Sequence, residues 1–324
     1  MTARHSRSWR NLPSQKQDQR PSKPRQRSKA RSLLFLLIKK SIPLLIVAIL
    51  IGSSLLAGAF WWYSRELPDP ENLRKRDVAQ TTKIYDRTAE HILYEIHGEE
   101  KRTLVRLSEL PDHVKWATIA LEDKDFYQHG GFDFSGFLRA MTRNVATGEI
   151  FTGQGGSTIT QQLVKNAILT REKRVSRKIK ELILAYQIEK KFTKDEILQL
   201  YLNEIPYGSN AYGIQSASHT FFGKDAQDLT ISESALLASL PQAPSRLSPY
   251  GSQLEALNSR HLTTLKLMHD QGYIQDDEYK QAQDQELEFK PRIDKIEAPH
   301  FVFYIRELLS EKYGETMIEQ GGLK

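Results

Sequence analysis

Two carboxylates stand out for the residues around them. Glu122 ends an apolar stripe of Val114, Ala117, Ile119, Ala120 and Leu121, and it opens the run Glu122-Asp123-Lys124-Asp125-Phe126-Tyr127-Gln128-His129-Gly130-Gly131. A carboxylate placed where a helix leaves the core, beside an aromatic ring and a histidine, is partly desolvated. Desolvation raises its pKa toward the range of a general base. The same letters also read as an ordinary helix end followed by an Asp/Gly turn. Glu181 closes Arg177-Lys178-Ile179-Lys180-Glu181. On a helix Arg177, Lys178 and Glu181 share a face, with Arg177 one turn from Glu181. Alone that is a solvated, ion-paired face; combined with other anion-binding groups it offers two cations and a second carboxylate to a diphosphate. Between the two carboxylates lies Gly155-Gly156-Ser157-Thr158-Ile159-Thr160-Gln161-Gln162-Leu163-Val164-Lys165-Asn166. Glycines running into hydroxyls at a helix start, then Gln161 and Lys165 on later turns, suit a cluster of anionic oxygens. The order is not that of a nucleotide-binding P-loop, and a capped helix with a polar face is the alternative.

These groups need elements to hold them. Thr193-Lys194-Asp195-Glu196 is a capping box that opens a helix over 194–203, and Thr230-Ile231-Ser232-Glu233 opens one that Pro241 stops. Positions 175, 179, 182, 183 and 186 are apolar on one helical face, and 255–268 and 301–312 are also amphipathic. The helix over 194–203 and the turn at Ala238–Ser245 look mainly structural, with Asn203, Gln242 and Ser245 as polar liners. Thr81 to Tyr85 and His91 to Ile96 are rich in β-formers around Asp86-Arg87-Thr88, which predicts a small hairpin. No alternating strand pattern follows residue 110, so the fold class expected is mainly α.

The chain has 324 residues and no cysteine, which excludes a disulfide framework, a thiolate metal site and a cysteine nucleophile. Its net charge of +6 hides an asymmetry: residues 1–40 hold 12 Lys/Arg and one acid, Asp18, for a charge of +11, which leaves −5 for the rest. Residues 1–31 are too polar to bury a core and are expected to be a disordered cytoplasmic tail. From Ser41 to Ser64 the chain runs 24 residues without a charge and ends in Trp61-Trp62-Tyr63. That length spans a bilayer, the aromatics suit its interface, and the basic flank sets the N-terminus inside. The short apolar run Leu33–Ile38 precedes it. A cleaved signal peptide is the competing reading, against which stand the length of the run and Phe60-Trp61-Trp62 in place of small residues. The expected order is therefore a tail over 1–31, a single-pass signal anchor over 32–64, a linker with a hairpin over 65–108, and an extracytoplasmic domain over 109–324 with a C-terminal helical extension. A topology signal accounts for the basic tail, and no nucleic-acid partner is expected.

The ordered series EDKDFYQHGG, GGSTITQQLVKN, RKIKE, KDEILQLYLNEIPYG and ASLPQAPS behind an apolar anchor resembles the peptidoglycan glycosyltransferase domain of family 51, found in class A penicillin-binding proteins and in monofunctional glycosyltransferases. The resemblance covers roughly residues 75–324. It implies a lysozyme-like, two-lobed helical fold with a cleft facing the membrane. The substrates implied are lipid II as acceptor and a growing, lipid-linked glycan strand as donor, and the product is a β-1,4 bond formed with inversion. By motif, Glu122 would be the base on the acceptor 4-hydroxyl, and Glu181 would position the donor. Ser157, Thr158, Gln161, Lys165, Asn166, Arg177 and Lys178 would hold the sugar diphosphate, Asp123, Phe126 and His129 would shape the cleft, and Gln242 and Ser245 would line its edge. A diphosphate is already a good leaving group, so cations matter more than an acid. No cofactor is expected, although a divalent cation could assist the diphosphate. The bilayer and other wall-synthesis proteins are the further partners. A glycan-cleaving enzyme on the same fold and a catalytically silent scaffold are the alternatives. Two departures from the family pattern are Arg246-Leu247-Ser248-Pro249 after Ser245, where Tyr-Asn-Pro is usual, and Phe221 where Tyr is common. Gly321-Gly322-Leu323-Lys324 resembles the lead into a transpeptidase domain, but no SxxK, SxN and KTG set is present, so the residues give no basis for transpeptidation.

Overall fold

The computed structural model describes residues 41–43, 45–47, 50–54, 58, 60–62, 65, 67–71, 73, 80–96, 100–134, 136, 156–169, 174–291 and 296–323. The basic tail, the run Leu33–Ile38 and Gly155 lie outside them. The chain divides into two compact units, Met1–Ala59 and Phe60–Lys324. In the first, the described residues from Ser41 to Ser54 are helical. Among the described residues, no helix is long and apolar enough to cross a membrane.

The second unit is mostly helical. It begins with the predicted hairpin, β1 (Thr82–Tyr85) against β2 (Ile92–Ile96), antiparallel with Thr82 opposite Ile96. A short β3 (Lys101–Arg102) follows, then helices α1 (Asp112–Glu122), α2 (Ile159–Ala167), α3 (Arg174–Lys191) and α4 (Lys194–Glu204). After β4 (Pro206–Gly208) and β5 (Ala211–Tyr212) come α5 (Ile214–Phe221), α6 (Ile231–Ser239), α7 (Leu254–Asp270), α8 (Asp276–Asp284), α9 (Pro299–Tyr313) and α10 (Glu315–Gln320). The strands β4 and β5 fall after residue 110, where no alternating pattern marks them: they form a sheet in the order β3-β5-β4, with β3 parallel to β5. Strands of two or three residues are too short to show alternation.

Local chemistry explains the helix boundaries. Both arms of the capping box are made at the start of α4, where Thr193 Oγ1 accepts from Glu196 N and Glu196 accepts from Thr193 N, and again at α6 through Thr230 and Glu233. The main core collects Ile119 and Phe126 with Leu163, Val164, Leu184, Ile188, Leu198 and Tyr201 from α2, α3 and α4. A second cluster joins α1 to α6 and α7 through Ala117, Ala120, Ala235, Ala238, Leu265 and Met268, and its four alanines let α1 and α6 approach closely. A third, of Ile84, Ile96, Val302 and Ile318, packs the hairpin against α9 and α10.

Candidate active site

The last residue of α1 is Glu122, and the helix breaks at Asp123 as expected. Its side chain is 11% exposed. Each oxygen has a donor: Gln162 Nε2 donates to Oε2 at 2.7 Å and an Arg260 guanidinium nitrogen to Oε1 at 3.1 Å. Burial raises the Glu122 pKa above the ordinary carboxylate value, while Gln162 and Arg260 hold it back and Asp123 adds to the rise. A carboxylate in this state is a stronger base than one in water and is still steered by fixed donors.

Behind Glu122, Asp123 is committed on both oxygens. His129 Nε2 donates to Oδ1 at 2.8 Å, and the Ile159 N–H at the first turn of α2 donates to Oδ2 at 3.0 Å. His129 Nδ1 accepts the Gly131 N–H at 3.2 Å, which leaves the imidazole proton on Nε2. Phe126 is fully buried, and Lys194 Nζ lies 4.4 Å from its ring centroid. Lys194 also donates to His129 O at 2.7 Å and pairs with Glu189, which accepts from Thr160 Oγ1. Asp123, Phe126 and His129 therefore hold the wall of the site from behind. Asp123 and Phe126 are buried, and Asp123 and His129 make their bonds within the protein.

The start of α2 joins the two carboxylates. Thr158 caps it, accepting from Gln161 N at 3.2 Å and donating to Gly131 O at 2.9 Å. Gln161 Nε2 donates to the same carbonyl, and its Oε1 accepts from Lys178 Nζ at 3.0 Å. Lys178 also reaches Ser157 Oγ at 2.9 Å and Glu181 at 3.2 Å. Arg177 pairs with the other Glu181 oxygen at 3.3 Å. The neighbours Gln161 and Gln162 thus point in two directions, one to Lys178 and Glu181 on α3, the other to Glu122 on α1. Glu181 is only 5% exposed, which corrects the solvated-face reading of Arg177-Lys178-Glu181: the helix turns its acid into the protein and leaves the cations at the rim.

Lys165 is exposed on α2 and has no ion-pair partner among the described residues, while Asn166 Nδ2 donates to Gln162 O at 2.8 Å. Gln242 and Ser245 are exposed in the turn after α6 and take no part in the bonded network around Glu122. Among the described residues no cluster of three or more His, Asp or Glu could hold a metal ion. Three functional candidates escaped the sequence: Gln162, Arg260 and Tyr201. Gln162 sits inside a motif, Tyr201 looks like core, and Arg260 carries one faint signal, a cation between the core positions Leu257, His261 and Thr264 of α7.

A transglycosylase family profile matches residues 89–269. The chain is 41% identical over 251 residues to penicillin-binding protein 1A of Aquifex aeolicus, a match covering 78% of this chain and 34% of the relative. It is 36% identical over 286 residues to penicillin-binding protein 1A of Escherichia coli, covering 88% and 33%. The crystal structure of penicillin-binding protein 1A from Haemophilus influenzae aligns with a TM-score of 0.42 at 24% identity, covering 76% of this chain and 26% of that one. The chain spans about a third of the length of the curated relatives it matches. The profile match, over the stretch that holds Glu122, the α2 cap and Glu181, places this chain in the transglycosylase family, the glycosyltransferase family 51 that its motifs resemble.

Proposed function

We propose that this chain is a membrane-anchored peptidoglycan glycosyltransferase that polymerises lipid II on the outer face of the membrane. One observation carries the reading. A buried, pKa-raised carboxylate, Glu122, is linked through the first turn of α2 to a rim of Ser157, Gln161, Arg177 and Lys178 around Glu181. A base and a cationic rim on one helix start are the two parts that glycosyl transfer from a diphosphate needs.

In this reading Glu122 takes the proton of the acceptor 4-hydroxyl. That oxygen forms the new bond to C1 of the donor sugar as the bond from C1 to the diphosphate oxygen breaks, with inversion. The electron pair leaves with undecaprenyl diphosphate, whose charge Lys178, Arg177 and the exposed Lys165 offset, and Glu122 later returns its proton to solvent. Glu181 keeps the two cations in place. Supporting the anchor are the uncharged run Ser41–Ser64 and its basic flank, and a substrate whose lipid stays in the bilayer. A lysozyme-like, two-lobed arrangement belongs to the same proposal, as do the roles of Gln242 and Ser245 at the edge of the site. No cofactor enters the scheme.

The test uses detergent-solubilised protein with labelled lipid II, with the products resolved on a glycan gel beside Glu122→Gln. Glycan ladders from the wild type and none from a folded variant are expected. Ladders from both would remove Glu122 as the base. Lipid II bound by both but polymerised by neither would turn the reading toward a scaffold.

A further inference from the structure

We propose that Tyr201 is a positioning residue for glycosyl transfer: acting through Gln162, its hydroxyl selects the ionised, proton-accepting form of Glu122. The inference rests on the reading of Glu122 as the base. Tyr201 stands on α4 and is 1% exposed, so it is out of reach of a substrate. Its hydroxyl lies 3.3 Å from Gln162 Oε1, and Gln162 Nε2 lies 2.7 Å from Glu122 Oε2.

An amide has one accepting end and one donating end, and its orientation is set by the partners at each. An ionised carboxylate only accepts, so it must face Nε2, and Oε1 is then left for the Tyr201 O–H. Burial and the nearby Glu122 charge raise the Tyr201 pKa well above its ordinary value, so the phenol keeps its proton and stays a donor. A protonated Glu122 could offer its own O–H to Oε1 only if the amide turned over. That turn would bring an N–H against the phenol and swing the hydroxyl hydrogen off its acceptor. The Tyr201 donation therefore opposes the amide orientation that a protonated Glu122 would use.

The remaining groups facing Glu122 are few. Arg260 on α7 favours the ionised form, Asp123 opposes it, and Tyr207 on β4 is buried and stays neutral. α6 meets α1 through Ala235 and Ala238, which carry no charge. With Arg260 fixed on one oxygen, the Tyr201–Gln162 arm is the adjustable half of the clamp.

The measurement is kcat and KM for lipid II polymerisation against pH, in full-length Tyr201→Phe and Gln162→Met, with melting temperatures recorded alongside. Activity falls as pH drops through the pKa of the base, so losing a group that favours ionisation moves this acidic limb to higher pH. The expected shift is about half to one pH unit, the weight of one hydrogen bond, with KM unchanged. A lower kcat at every pH with an unmoved limb would make Tyr201 a packing residue and overturn the proposal. Should Tyr201→Phe not fold, Tyr201→Met, which also lacks the hydroxyl, decides by the same limb; Gln162→Met removes the direct bond to Glu122 and calibrates the size of the shift. The reading of the base fails separately: polymerisation by folded Glu122→Gln would sink it, whereas an inactive Glu122→Gln beside unmoved limbs in the other variants would sink only the role of Tyr201.

Discussion

Glu122 and Arg260 are 138 positions apart and meet at 3.1 Å, with side chains 11% and 22% exposed. The pair leaves two marks on stability. Arg260→Met strands a mostly buried carboxylate and also removes the bond from Arg260 Nε to Ser239 O. It is expected to cost about 2 kcal/mol, less than a fully buried pair would because both groups retain some water. Glu122→Gln placed in the same chain should return a large part of that loss, and chemical denaturation of the two single variants and the double variant measures the coupling. The second mark is a pH dependence. Burial raises the folded-state pKa of Glu122 above 4.5, so its contribution to stability is present below that pH and is lost as pH rises through the folded pKa. Wild type should therefore lose melting temperature relative to Glu122→Gln as pH climbs from about 4.5, and a flat difference across that window would contradict the raised pKa. The sequence made Glu122 visible because an apolar stripe stopped there. It kept Arg260 hidden because its pairing comes from the crossing of α1 and α7, and no local pattern records a helix crossing.

The elements were more legible than the contacts between them. Helices α4 and α6 announced themselves through capping boxes, and α3, α7 and α9 through apolar faces, because those signals are local. Strands β3, β4 and β5 did not, since their pairing is set by the neighbouring strand and their lengths carry no period. The start of α2 lies between these cases. A capped helix start was one reading of these residues, but the second bond of Thr158, to Gly131 O, depends on a backbone turn: Gly131 has φ +83°, and a Cβ there would meet Ala185 O at 3.0 Å. Gly131→Ala should thus combine left-handed strain with a push against α3, costing about 1–2 kcal/mol. Since the carbonyl it displaces also receives Gln161 Nε2, KM for lipid II should rise more than this loss of stability explains. Steady-state kinetics at a temperature where the variant is fully folded separates the two effects. Thr158→Ser should stay close to wild type, and Thr158→Val should lose about 1 kcal/mol with the cap.

Within the unit Phe60–Lys324, the hairpin and the C-terminal residues come together. Strand β1 pairs with β2 on one side, and on the other it receives the C-terminal residues: Lys83 N donates to Leu323 O at 2.8 Å, Leu323 N to Thr82 Oγ1 at 3.1 Å, and Gln80 bridges Gly321 in parallel. Helices α9 and α10 cover this sheet through Val302 and Ile318, both fully buried, in a cluster separate from the main core of Ile119, Phe126 and Tyr201. The hairpin lacks the area to be stable by itself and depends on residues more than two hundred positions away. A charge introduced as Val302→Asp should release it, since burying an unpaired carboxylate against Ile84 and Ile96 costs more than so small a cluster gains. Hydrogen exchange monitored by mass spectrometry should then show faster exchange at Thr82–Tyr85 and Ile92–Ile96, with α1, α2 and α4 still protected. Arg102 sets the limit of that release: it is 2% exposed on β3 and is tied to Glu204 and to Asn203 O at the end of α4. The β3–β5 pairing should therefore hold after the hairpin opens. Loss of protection in α4 together with the hairpin would mean that the two clusters unfold as one.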